Sequence, residues 1–130
     1  MKYLLDTCTF LWLIWDEPEL SARPRDLIRN PEHELFLSPV SQWEALVKHQ
    51  AGKLELRTQE PAWRHFVNQR DRHGILSLPL DENALAHLAN LPDHHRDPFD
   101  RMLICQAIES GLAILTPDPL IRRYPVKTEW

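Results

Sequence analysis

Four short apolar runs most constrain what this chain can fold into: Lys2-Tyr3-Leu4-Leu5, Leu35-Phe36-Leu37, Ile75-Leu76-Ser77-Leu78 and Ala113-Ile114-Leu115. Each is short for a helix and lacks the alternation of a strand with one wet face, so each reads as a strand covered on both sides. Helical patterns fill the gaps between them. Cys8 to Trp15 is a dense apolar run that "DEPEL" ends, and Ser21 is placed to cap a helix over about 22–29 with Pro24 in its first turn. Val40, Trp43, Leu46 and Val47 recur at helical spacing until Gly52, and Trp63, Phe66 and Val67 give a helix from Pro61 to Arg72 its inward face before Gly74. Asp81 caps a short helix carrying Ala84, Leu85, Leu88 and Ala89. Pro98 opens a last helix with Phe99, Met102, Leu103, Ala107 and Ile108 on its buried face, and Gly111 closes it. The tail from Tyr124 to Trp130 is expected to hold one more edge strand around Val126.

Strands alternating with helices imply an α/β fold: a three-layer α/β/α sandwich around a central, mostly parallel sheet of four or five strands. The 130 residues contain no repeat, low-complexity tract or linker, so a single domain over 1–130 is expected, large enough for a real core. No apolar run reaches the ~18 residues of a membrane span, and "KYLLD" lacks the flanks of a signal peptide, which points to the cytoplasm. Cys8 and Cys105 lie in apolar segments as small hydrophobes, and the seven histidines show no zinc spacing. A net charge of −4 argues against coating nucleic acid by bulk electrostatics, yet it is compatible with a carboxylate-based site.

In an open parallel sheet, function gathers beyond the carboxyl ends of the strands. Asp6 directly follows the first strand, and Asp118 closely follows the fourth. Glu44 lies early in the helix after the second strand, while Asp97 and Asp100 open the helix that feeds the fourth. Each has an ordinary reading taken alone. Asp97-Pro98 is a good cap-and-first-turn pair, Asp6 and Asp118 suit turns, and Glu44 suits a helix. Asp100 leans the other way, because a cap already precedes it and its neighbours are core residues; Asp6 has no evident polar neighbour to accept its burial. Together at one rim, such charges repel unless protons or a cation intervene. Carboxylate oxygens suit a hard divalent ion, Mg²⁺ or Mn²⁺, which polarises a phosphoryl oxygen and activates water for attack on a phosphodiester. No Ser or Cys nucleophile with a positioned His is evident. Aspartyl-phosphate chemistry usually has a second Asp two residues on, and Asp6-Thr7-Cys8 has none.

The stretches "LLDTCTFLWL", "SPVSQWEALVKHQAGKLEL", "LPLDENALAHLANLPDHHRDPFDRMLICQA" and "LAILTPDPLIRRY" span nearly the whole chain. In that order they resemble the PIN-domain ribonucleases, specifically the VapC-like toxins of prokaryotic toxin–antitoxin pairs. The resemblance implies a PIN-like fold and an endoribonuclease dependent on Mg²⁺ or Mn²⁺. It implies catalytic, metal-coordinating acids at Asp6, Glu44, Asp100 and Asp118, with Asp97 as an additional metal ligand and Asp100 the closer of that pair. Thr7, Ser41 and Thr116 would orient the acids or a metal-bound water, and Arg101 would contact a phosphate or hold a carboxylate. The Thr-Pro-Asp-Pro turn departs from the family pattern and bears on how far Asp118 reaches. The implied partners are RNA, a cognate antitoxin that threads a segment along the site, and a second copy in a homodimer. Trp12 and Trp15 would build the antitoxin's apolar groove, and Arg64, Arg70, Arg72, Arg96, Arg122 and Arg123 would guide RNA. A phosphatase or DNA nuclease on a similar sheet, and a catalytically silent binding module, are the competing readings.

Overall fold

The computed structural model describes residues 1–130. Five strands, β1 (Lys2–Leu5), β2 (Glu34–Leu37), β3 (Leu76–Ser77), β4 (Ala113–Leu115) and β5 (Thr128–Glu129), form one sheet in the order β3-β2-β1-β4-β5. Every pairing is parallel. The crossovers carry α1 (Thr7–Ile14), α2 (Ala22–Arg29), α3 (Pro39–Gln50), α4 (Ala62–Arg72) and α5 (Pro98–Ser110), with 3₁₀ turns at Glu82–Asn90 and Ile121–Arg123. The central place of β1 explains its composition, since Tyr3, Leu4 and Leu5 are all buried.

The two-residue period of the strands divides the core between two faces. Tyr3, Leu5, Leu35, Leu37, Ala113 and Leu115 point one way, onto Phe10, Leu11, Ala45 and Phe66. Leu4 and Ile114 point the other way, onto Val40 and the α5 residues Leu103, Ile104 and Ala107. Helices thus cover both faces, giving the three-layer α/β/α sandwich expected from the sequence. Each fully buried Leu or Ile contributes about 1.5–3 kcal/mol by leaving water. No helix is long and apolar enough to cross a membrane.

The topology also fixes where a site can form. From β1 the chain crosses by α1 and α2 to β2 on one side, while β4 joins β1 from the other. Connections therefore diverge at the carboxyl ends of β1 and β4, and the crevice between them is a topological switch point.

Four details differ from the sequence reading. The run at 75–78, read as covered on both sides, forms an edge strand whose Leu76 and Ser77 are exposed, because only β2 pairs with it. The fifth strand forms at Thr128–Glu129 rather than around Val126, because Pro125 has no N–H and the ladder to β4 begins only at Lys127, whose carbonyl accepts from Ile114 N at 2.8 Å. The segment after Asp81 winds as a 3₁₀ helix and buries only Ala84. Trp43, Val47 and Trp63 do not face inward: they are 60%, 42% and 55% exposed. Phe66, fully buried, fills the α4 contact, while the Trp63 indole lies under the Arg64 guanidinium at 5.3 Å. Phe66→Ala should therefore cost about 3–5 kcal/mol and Trp63→Ala about 0.5 kcal/mol or less, read from urea unfolding midpoints. Equal losses would mean that α4 packs by a different face.

Candidate active site

Asp6 begins the site because a helix starts directly from a strand there. It is the N-cap of α1, with Oδ1 accepting from Thr9 N at 2.8 Å, and it is 4% exposed. Its neighbourhood is more polar than the sequence suggested, since Thr7, Thr9 and Thr116 are all buried around it. Asp97 does the same for α5, its Oδ1 accepting from Phe99 N at 2.9 Å and Asp100 N at 3.1 Å. Asp118 sits in a turn stapled at both ends: its N–H donates to Thr116 Oγ1 at 3.0 Å and its Oδ1 accepts from Leu120 N at 2.8 Å. Glu44 projects from α3 and is held by side chains alone. Its Oε1 accepts from Thr7 Oγ1 at 2.8 Å and its Oε2 from Lys48 Nζ at 2.6 Å. Asp100, in the first turn of α5, has Oδ2 at 3.1 Å from His95 Nε2.

All five acids line one cleft of about 410 Å³, with Thr7, Cys8 and Lys48 beside them and Trp12, Pro117 and Pro119 forming its less polar wall. Crowding shows in their acidities. Burial first, then the charge of Asp97, pushes Asp100 up to about 6, with Glu44 and Asp6 adding to the rise and the bond to His95 opposing it. Burial likewise raises Asp6, against the hydrogen bonds of Thr116 and Thr9 and together with the charge of Asp118. Desolvation works against the Lys48 ammonium, yet its bond to Glu44 and the charge of Glu44 hold it above its ordinary value. The Cys8 thiol is pushed up to about 11 by desolvation and then by Asp6, so it stays protonated at neutral pH and is a poor ligand.

The donors fit a hard divalent cation, since the cleft offers carboxylate oxygens from four separate elements. No three His, Cys, Asp or Glu side chains already form a closed coordination group. Like charges repel, and each acid has its own partner: a helix N-terminus for Asp6 and Asp97, a hydroxyl and an ammonium for Glu44, the His95 imidazole for Asp100 and a turn N–H for Asp118.

The remaining expected residues are distributed differently. Thr7 touches Glu44, and Thr116 is buried beside Asp6 and Asp118. Ser41 is buried on α3 with no partner for its hydroxyl and does not line the cleft. Arg101 lies outside the cleft lining, with Nη1 donating to Pro92 O at 2.9 Å and to Tyr124 Oη at 3.0 Å and standing 3.9 Å from the Asp93 carboxylate. Trp12 lines the acid cleft and meets Trp130 edge-on at 6.0 Å, whereas Trp15 lines a separate cavity with Lys53 and Leu54. None of Arg64, Arg70, Arg72, Arg96, Arg122 and Arg123 lines the cleft. Sequence reasoning passed over Lys48, His95 and Tyr124. Lys48 was findable, because Glu and Lys four apart on a helix face are neighbours.

An α/β/α sandwich with carboxylates gathered at its switch point defines a class of acid-cleft domains. The chain belongs to the PIN domain family, whose sequence pattern matches residues 3–127. No curated protein matches it in sequence. Its fold is similar to that of VapBC2 from Rickettsia felis bound to a DNA fragment from their promoter, at TM-score 0.69 and 14% identity over 99% of this chain and 98% of that one. It is similar to VapBC-1 from nontypeable Haemophilus influenzae at TM-score 0.68 and 20% identity, over 99% and 97% of the two chains. DNA-bound VapBC from Salmonella typhimurium follows at TM-score 0.67 and 18% identity, again over 99% and 97%.

A raised carboxyl favours the folded state only while protonated, so Asp100 makes the metal-free domain lose stability as pH rises from 3.8 to about 6. Asp100→Asn should remove that part of the pH dependence and melt higher than the parent at pH 7 in circular dichroism. A lower melting temperature would show that the Asp100 charge is already compensated.

Proposed function

We propose that the chain is the toxin of a toxin–antitoxin pair: a metal-dependent endoribonuclease that cleaves RNA phosphodiester bonds with Mg²⁺ or Mn²⁺. The observation that carries this reading is the convergence of five acids from four elements on one cleft. Membership of the PIN domain family and the fold shared with VapBC proteins support it. The whole of 1–130 acts as one PIN domain in the cytoplasm, as a homodimer, with a cognate antitoxin as its protein partner.

Asp6, Glu44, Asp100 and Asp118 are the catalytic ligands, and Asp97 completes the charge around them. A cation held by these carboxylates would polarise a phosphoryl oxygen and lower the pKa of water to supply the nucleophile. The chain does the positioning. The α1 and α5 N-termini fix Asp6 and Asp97 through backbone N–H bonds, and Thr7 orients Glu44. Lys48, the one basic residue lining the cleft, meets the phosphate charge. Trp12, Pro117 and Pro119 present an apolar wall to the nucleotide.

The test uses the purified chain with end-labelled RNA and matched DNA in Mg²⁺ and in EDTA. Asp6→Asn keeps an N-cap and Asp100→Asn keeps the shape, so both should fold by circular dichroism. Each should cleave RNA at least ~100-fold more slowly, the scale of losing a major electrostatic contributor at a reacting centre. Variants as active as the parent, or cleavage that survives EDTA, would overturn the metal assignment. Cleavage of DNA with RNA spared would overturn the substrate assignment.

A further inference from the structure

Tyr124 is buried and lies just past the 3₁₀ turn at Ile121–Arg123, far in sequence from Asp100. Four groups surround its phenolic oxygen. The His95 backbone N–H lies at 3.1 Å, Arg101 Nη1 at 3.0 Å, His95 Nδ1 at 2.8 Å and the His95 carbonyl at 3.3 Å. A hydroxyl has one proton to give and two lone pairs with which to accept. A backbone N–H and a guanidinium N–H can only donate, so these two neighbours occupy both lone pairs. The oxygen has nothing left to accept a third N–H, and Nδ1 of His95 therefore carries no proton. Nδ1 accepts the phenolic O–H, the shorter of the two contacts open to that proton. The ring proton then sits on Nε2, which stands 3.1 Å from Asp100 Oδ2, a carboxylate oxygen that accepts it.

We propose that His95 is a positioning residue for Asp100: Tyr124, with both acceptor sites filled by Arg101 and the His95 backbone, locks His95 as the Nε2–H tautomer, and that N–H pins one oxygen of Asp100 and leaves the other for the cleft. The chain of contacts ties three separate segments together, namely the loop before α5, α5 itself and the segment after β4. It also gives Arg101 a part, as the group that fills the second acceptor site of the phenol. An outer partner that fixes the tautomer and orients the ligand is the usual device behind a metal-binding side chain. The tautomer follows from hydrogen-bond counting alone. Its service to a cation rests on the function proposed above.

The test begins with the ¹⁵N-labelled chain, metal-free, and long-range ¹H–¹⁵N correlation of the imidazoles. His95 should show a protonated Nε2 and a bare Nδ1, and Tyr124→Phe, which keeps the ring, should abolish that preference. A protonated Nδ1 in the parent, alone or with Nε2, overturns the proposal. Mn²⁺ affinity, read from the electron paramagnetic resonance of the free ion, should fall about tenfold or more in His95→Leu and recover in His95→Gln, whose amide can still donate. Unchanged affinity in His95→Leu overturns the positioning role whatever the tautomer. Failure of the parent chain to bind Mn²⁺ at all overturns the ribonuclease reading instead, and the imidazole spectrum of the same sample still decides the tautomer.

Discussion

The parallel ladder between β1 and β4 ends at a long rung, Asp6 N to Leu115 O at 3.4 Å, and the rest of the site depends on how the two chains part there. Beyond it, α1 starts at once and needs an acceptor for its exposed N–H groups, which the Asp6 side chain supplies. Thr9 closes the gap from the other side, its hydroxyl donating to Leu115 O at 2.9 Å. A buried polar side chain at this point is thus a requirement of the fold. A negative charge is not, because Asn, Ser or Thr would cap α1 comparably well. The same holds at Asp97 and Asp118, which each accept a backbone N–H that a neutral residue could also satisfy. Local structure accounts for the side chains and leaves their charges over.

Those charges work against the fold. Burial and mutual repulsion raise Asp6 and Asp100 above the ordinary carboxyl range, and Lys48 alone among the lining residues brings positive charge. Sites that trade stability for chemistry have this signature. The fixed and adjustable members also divide cleanly. Asp6, Asp97 and Asp118 are bound to backbone N–H groups, whereas Glu44 is held by a hydroxyl and a half-exposed ammonium. Glu44 can exchange partners without disturbing a helix end, so on the ribonuclease reading it is the acid best placed to close around a cation.

What could be read from the sequence followed from short-range physics. Buried strands betray themselves as even apolar runs, and the rule that sites form beyond strand ends then gathers Asp6, Glu44, Asp97, Asp100 and Asp118 without coordinates. Periodicity fails where it counts every apolar residue alike: Trp43 and Trp63 sit on the margins of their helices, where rings cover neighbours rather than fill the core. Pairings between distant residues leave no local trace. His95 meets Tyr124 across 29 residues, and Ser38 donates to Gln106 across 68. For Arg101 the sequence left phosphate and carboxylate open, because nothing nearby in it shows the carbonyl, the phenol and the Asp93 carboxylate that surround its guanidinium.

The balance of charge in the cleft bears on how a polyanion is admitted. Five carboxylates against one lysine make a cleft that repels phosphate. On the ribonuclease reading, cation and RNA are therefore coupled ligands, each improving the site for the other by the same factor. On the same reading Lys48 stands at the junction of the two, since the cation would compete with it for Glu44 while the phosphate would offer it a new anion. An acidic chain of net charge −4 can in this way act on nucleic acid without a basic surface, drawing on a local cation where other binders rely on a field.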